Sequence, residues 1–197
     1  MSDPYLDPAS HVLRNLGGYA AAAALEAFEN EVTQNRTVEL AFHPIVGHYD
    51  LDHLCAIHRH IFQDVYDWAG ELRTVNIQKG GELFALAPHL EVAGDALFKD
   101  LAAEHFLHGL DRGDFVRRVA FYLSEINALH PFREGNGRAQ RAFLTQLAND
   151  AGWPIDWETI SEPDNITASI AGHRGDLGPW EQLLNNAVTR PANHKNK

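Results

Sequence analysis

The chain has a single cysteine, Cys55, in 197 residues. That rules out an internal disulfide framework and suits a reducing compartment. It also lacks an excess of positive charge: 16 Lys and Arg stand against 27 Asp and Glu, for a formal net charge of −11. A surface of that sign repels a phosphate backbone, which argues against direct nucleic-acid binding as the main role. No apolar run approaches the roughly 20 residues of a membrane span. Residues 1–10 carry Asp3, Asp7 and two prolines, and do not read as a signal peptide. Internal repeats and low-complexity linkers are missing too. What remains is a cytoplasmic globular protein, expected as a single domain over 1–197 with its core over about 10–190 and a loose polar tail beyond. A chain of this size buries a core without help from disulfides or metals.

The periodicities that are present are mostly helical. Residues 19–33 are alanine-rich with Leu25, Phe28 and Val32 in register, and 51–62 repeat Leu51, Leu54, Cys55, Ile57 and Ile61. Residues 90–107 follow Pro88 and carry Val92, Ala96, Leu97, Leu101 and Phe106; a last stripe surrounds Trp180, Leu183, Leu184 and Val188. The class is all-α. Only 72–78 alternate with period two, before a turn at 79–82 and a return at 83–86, which predicts a small β-hairpin with a four-residue loop. Trp153, Trp157 and Trp180 read as core or interface anchors.

The chemistry concentrates in residues 130–142, HPFREGNGRAQRA. Upstream, Phe115, Val119, Leu123, Ile126 and Leu129 form a buried helix stripe that Pro131 should end, leaving His130 at the junction with a loop. Gly135, Asn136 and Gly137 can turn successive N–H groups inward as an anion nest. A second stripe, from Ala142 and Phe143 through Leu147 to a capping Gly152, places that nest at a helix N-terminus, where the dipole favours an anion. Arg138 and Arg141 share a face on the first turns of that helix and suit forked phosphate contacts. Glu134 offers an oxygen of the type Mg²⁺ uses beside substrate phosphates. The run is not a P-loop, since no Lys-Ser/Thr follows the glycines. A helical rather than strand-like approach also excludes a dinucleotide fingerprint. Elsewhere His53, His58 and His60 suggest a metal, but His58 and His60 are two apart and face different ways on a helix. His105 and His108 behind Glu104 have zinc-like spacing, but a solvated helix face is the preferred reading.

The run resembles the signature of the Fic family, HPFx[D/E]GNGRxxR, with every defined position filled. The resemblance implies a Fic-type helical domain that transfers AMP from ATP to a Tyr, Ser or Thr hydroxyl of a target protein. It makes His130 the general base, Phe132 the loop anchor, and Glu134 a ligand of Mg²⁺. Asn136 with the amides of Gly135 and Gly137 would bind the α-phosphate, and Arg138 and Arg141 the departing phosphates. In the family the hairpin is a flap over the active site, often preceded by a Gly-Glu-x-Arg like residues 70–73, and it aligns the target by β-augmentation. Lys79 and Gly80 then lie near the nucleotide, and Phe84 is the candidate clamp on the target.

Many relatives carry an inhibitory helix, Ser/Thr-x-x-x-Glu-Gly/Asn, whose glutamate pairs with the second arginine. Here the acid-then-Gly/Asn pairs begin at Glu29, Glu134 and Asp164, and four positions earlier stand Leu25, His130 and Ile160. The chain therefore lacks that brake. The pattern implies a bacterial toxin held by a small antitoxin that supplies the glutamate to Arg141. Residues 3–6 and 12–15 resemble the start of stand-alone Fic toxins and related secreted effectors, and the absence of a following delivery domain favours the toxin. By analogy the target is a type II topoisomerase, gyrase or topoisomerase IV. A Doc-type phosphotransferase and a non-catalytic nucleotide-binding module are the alternatives. The first departs from Gly-Asn-Gly at the turn, and the second would have lost a base or arginine.

Overall fold

The computed structural model describes residues 3–79 and 81–189. Gly80 and the expected polar tail lie outside the described residues. Seven α-helices among the described residues account for the architecture: α1 (Ala22–Phe42), α2 (Leu51–Phe62), α3 (Leu90–Ala103), α4 (Arg112–Leu129), α5 (Asn136–Asp150), α6 (Glu162–His173) and α7 (Gly178–Ala187). Helices α4 and α5 form the centre. The first buries Phe115, Val119, Tyr122, Leu123 and Ile126, and the second Ala139, Phe143 and Leu147. Burying a side chain such as Phe143 or Leu147 contributes about 1.5–3 kcal/mol over leaving it in water. Helix α2 packs on α1, α3 and α5, while α6 and α7 cover the other side of α4. The all-α expectation holds, and no helix among the described residues is long and apolar enough to cross a membrane.

Helix starts follow local chemistry. Asp50 accepts from the His53 N–H at 2.8 Å, Asp111 from Asp114 at 2.8 Å, and Ser161 from Asp164 at 3.2 Å. Each side chain satisfies a donor the helix leaves open. Helix α5 has no such side-chain cap and begins after Gly135 at φ 80°.

Three elements differ from the sequence reading. Helix α1 runs on to Phe42, because its buried positions are Leu25, Glu29, Thr33 and Leu40 and two of them are polar. Helix α3 stops at Ala103, and His105, Phe106 and Leu107 adopt φ of 53°, 53° and 61°, which no continuing helix permits. Helix α6 had no visible stripe: Ala168 is its buried residue, while Ile166 and Ile170 are exposed.

The β-structure is shorter than the alternation suggests. Strands β1 (Gln78–Lys79) and β2 (Glu82–Leu83) pair antiparallel, Gln78 with Leu83 and Lys79 with Glu82. Lys79 and Glu82, expected in the loop, are themselves paired, and Gly81 between them has φ 86°. Beyond one long bond across the hairpin, Phe84 N–H to Ile77 O at 3.4 Å, the flanking segments bond to the region where α4 ends: the Arg73 N–H donates to Pro131 O at 2.9 Å, and beyond β2 the Ala85 N–H donates to Ala128 O at 3.0 Å.

Candidate active site

His130 sits at the C-cap of α4 in the left-handed region, φ 44° and ψ 60°. That conformation costs a non-glycine residue about 1–2 kcal/mol, so neighbouring contacts must hold it. Its ring stacks on Phe84 at 3.9 Å and 15°, and Nδ1 lies 3.1 Å from the Asn127 carbonyl oxygen. A carbonyl only accepts, so Nδ1 carries the proton and Nε2 is left as a basic lone pair. Burial pushes the imidazole down to about 4, with the nearby charges of Arg73, Lys79 and His173 adding to the effect against the Asn127 bond. Near pH 7 the ring is neutral. Phe84 also meets His173 edge-on at 5.8 Å.

The loop after His130 is held from within. The Asn136 side chain accepts from the Phe132 N–H and donates to the Phe132 carbonyl, both at 2.8 Å, in buried surroundings. Its amide is thereby committed to loop shape, and what Asn136 can offer an anion is its backbone N–H. Phe132 is 1% exposed and stacks at 3.8 Å on His58. His58 in turn accepts the Gly70 N–H on Nδ1 at 2.8 Å and donates from Nε2 to Glu134 O at 3.0 Å. This prop was missed in the sequence, where His58 stood only as a poor metal ligand.

Burial pushes His58 down to about 3, against the bond to Glu134 O. The sign follows: folded values below the ordinary 6.5 for His58 and His130 give stability that is full above pH 6.5 and lost as pH falls through the folded values. Urea unfolding is expected to show a loss of up to about 1.4 kcal/mol per pH unit for each histidine below pH 6. A His58→Phe variant should flatten that slope.

At the start of α5 the amides of Asn136 and Gly137 precede the first i→i−4 bond, Ala139 N–H to Gly135 O at 3.1 Å, and so point outward unpaired within the helix. The two glycines differ. A Cβ on Gly135 would lie 2.2 Å from the Phe62 ring, whereas one on Gly137 would meet only Arg141 Nη1 at 3.5 Å. The protein itself leaves room beside Gly137. Glu134 is half exposed; Oε1 accepts the Gly135 N–H at 2.9 Å and lies 3.9 Å from Arg138.

The two arginines are placed differently. Arg138 pairs with Glu29 of α1, donates to Thr33 Oγ1 at 3.0 Å and lies 4.7 Å over the Phe62 ring. Glu29 is buried and also accepts the Tyr66 hydroxyl. Glu29 heads one of the acid–Asn pairs in the sequence, yet it meets the first arginine rather than the second. Arg141 has no ion-pair partner among the described residues, and burial lowers its pKa, with Arg138 adding to the effect. An unbalanced, largely buried cation beside open amides has the chemistry to hold an anion. Glu104, read beside the zinc-like pair, instead binds Arg118 and Tyr122. Among the described residues no three His, Cys, Asp or Glu side chains converge as a metal site.

Comparison with known proteins gives the family. The Fic/DOC family model matches residues 48–148. The chain is 42% identical over 187 residues to the probable protein adenylyltransferase Fic of Salmonella typhimurium, covering 95% of this chain and 92% of that protein. It is 41% identical over 188 residues to the protein adenylyltransferase VbhT of Bartonella schoenbuchensis, where it spans 39% of the relative's length. The effector BepC of Bartonella tribocorum, solved with bound AMPPNP, superposes with a TM-score of 0.90 at 26% identity, over 95% of this chain and 97% of that one. The chain belongs to the Fic/DOC family and groups with its protein adenylyltransferases.

Proposed function

We propose that the chain transfers AMP from ATP to a hydroxyl side chain of a protein, with His130 as general base. The observation that carries this is the His130 imidazole, held by Nδ1 on the Asn127 carbonyl oxygen so that Nε2 is the basic nitrogen, six residues before the first open amide of α5. The target oxygen attacks the α-phosphorus as Nε2 takes its proton. The bond from that phosphorus to the bridging oxygen breaks, and pyrophosphate leaves. The amides of Asn136 and Gly137 hold the α-phosphate, and Arg141 with Arg138 receives the charge of the leaving group; fixed donors stabilise such charge without reorganising. Phe132 anchors the loop. Lys79 borders the nucleotide. Strands β1 and β2 act as the flap, and Phe84, packed on His130, guides the target hydroxyl.

Glu134 fits Mg²⁺ in the way that ion prefers, with one exposed carboxylate completed by phosphates and water rather than a protein cage. When bound with ATP, Mg²⁺ neutralises phosphate charge.

Control by a separate antitoxin is part of the proposal. Its support is the lack of an anionic partner for Arg141 among the described residues, together with a groove of about 440 Å³ between α1, α2 and α5. Thr145 and Gln146 line that groove, within a turn or so of Arg141. A partner helix lying there would deliver a glutamate to Arg141. The setting we propose is the cytoplasm of a bacterium, with a type II topoisomerase as the first target to try.

The test is incubation with that target and with bacterial lysate, using ATP labelled at the α- or the γ-phosphate. Label transferred from the α position alone supports AMP transfer; label from the γ position would make the enzyme a phosphotransferase. The acid limb of kcat/KM should fall near pH 4, not near 6.5 as for an ordinary histidine.

A further inference from the structure

Arg73 is 2% exposed and has no carboxylate partner among the described residues. Its guanidinium instead donates to four main-chain carbonyls: Nε to His130 O at 2.8 Å, Nη1 to Val75 O at 2.7 Å, and Nη2 to Ala85 O and to Leu129 O at 3.3 Å. Its own N–H reaches Pro131 O at 2.9 Å. Two of the acceptors end α4, where the helix leaves carbonyls open and carries partial negative charge. The other two flank the β1–β2 ladder, one before it and one after. A buried cation normally takes a carboxylate; here carbonyl dipoles and the C-terminus of a helix replace it.

We propose that Arg73 is the positioning residue that fixes His130 and the β1–β2 flap as one unit, so that a target strand laid on the flap is presented to Nε2 in a single register. This rests on the reading of His130 as the base. The fork geometry is essential, because a planar guanidinium satisfies several acceptors at fixed angles where an ammonium is a point charge. The same cation faces the His130 imidazole, as do Lys79 from β1 and His173 from α6. The left-handed backbone of His130, which nothing in its own sequence favours, is explained by the bond from Arg73 Nε to its carbonyl.

Two variants and one wild-type measurement test this. Arg73→Lys keeps the charge and loses the fork. It is expected to lower kcat by about 10–100-fold, with KM for ATP changed by less than about threefold and the acid limb of activity left in place. Arg73→Gln should show the same loss and also move the NMR titration of His130 upward, towards 6.5. Wild-type kcat in Arg73→Lys, or an unmoved His130 titration in folded Arg73→Gln, would overturn the proposal. If the variants do not fold, native-state hydrogen exchange of the unaltered protein decides. The amides of Arg73, Ala85 and His130 should open with one free energy and one denaturant dependence; independent opening of Ala85 and His130 contradicts a single unit. The exchange and titration results do not depend on which group is transferred, so failure here is distinct from failure of the proposed activity.

Discussion

Substituting His130 with alanine is expected to lower the rate of AMP transfer by about 10²–10⁴-fold, the usual contribution of a positioned general base. ATP affinity should change little, because in the proposed mechanism the imidazole meets the incoming hydroxyl while the phosphates rest on the amides of α5. Stability should also change modestly. Alanine at φ 44° carries the same left-handed strain as the histidine it replaces, and the lost stack on Phe84 is worth about 0.5–1.5 kcal/mol. Single-turnover kinetics at saturating ATP, with a thermal melt as control, separate these effects. A rate within a few-fold of the wild type would remove His130 from the mechanism. A rate loss accompanied by a collapsed melt would say nothing about chemistry, and a milder His130→Gln variant then gives the comparison.

The second large effect is a contrast between two glycines two positions apart. Gly135→Ala places a Cβ 2.2 Å from the Phe62 ring at φ 80°. Left-handed strain of about 1–2 kcal/mol and overpacking of about 1–3 kcal/mol add to a severe loss of stability. Gly137→Ala behaves in the opposite way. It sits in the first turn of α5, and its Cβ would meet only Arg141 Nη1 at 3.5 Å. Alanine favours a helix over glycine by up to about 1 kcal/mol, so the fold should be unchanged or slightly more stable. The space it fills, however, is where a phosphate would approach the N–H groups. Nucleotide affinity is expected to fall by about tenfold or more, roughly the worth of one charge-assisted hydrogen bond at about 1.5–3 kcal/mol. Calorimetric titration with an ATP analogue and urea unfolding of both variants check this. Equal destabilisation with equal affinity loss would mean that Gly137 serves packing rather than ligand approach.

Much of the site was legible because its parts are local. The end of α4 at Pro131, the glycine turn and the start of α5 all follow from residues within a few positions of one another, and the structure places them as the pattern implies. What was not legible depends on distance in the sequence. Glu29 lies 109 residues from Arg138, and no periodicity marks a buried acid in an alanine-rich helix. Arg73 was visible in Gly70-Glu71-Leu72-Arg73, but its acceptors are backbone carbonyls, which carry no side-chain identity to read. His58 looked like one of several scattered histidines until Gly70 and Glu134 supplied its two partners. The hairpin was overestimated for a related reason: alternation at 72–77 reports which side chains face inward, and the inward face here serves Arg73 and the end of α4 rather than a longer ladder.

Which phosphate meets the base separates AMP transfer from phosphotransfer. A crystal structure of the protein with Mg²⁺ and a non-hydrolysable ATP analogue decides it most directly. The α-phosphate is predicted on the amides of Asn136 and Gly137, at roughly 2.7–3.1 Å from the donors, with its phosphorus turned towards the side of His130 Nε2 and the terminal phosphates reaching Arg141. A nucleotide seated the other way, with its γ-phosphate beside His130, would contradict AMP transfer and make the chain a phosphotransferase.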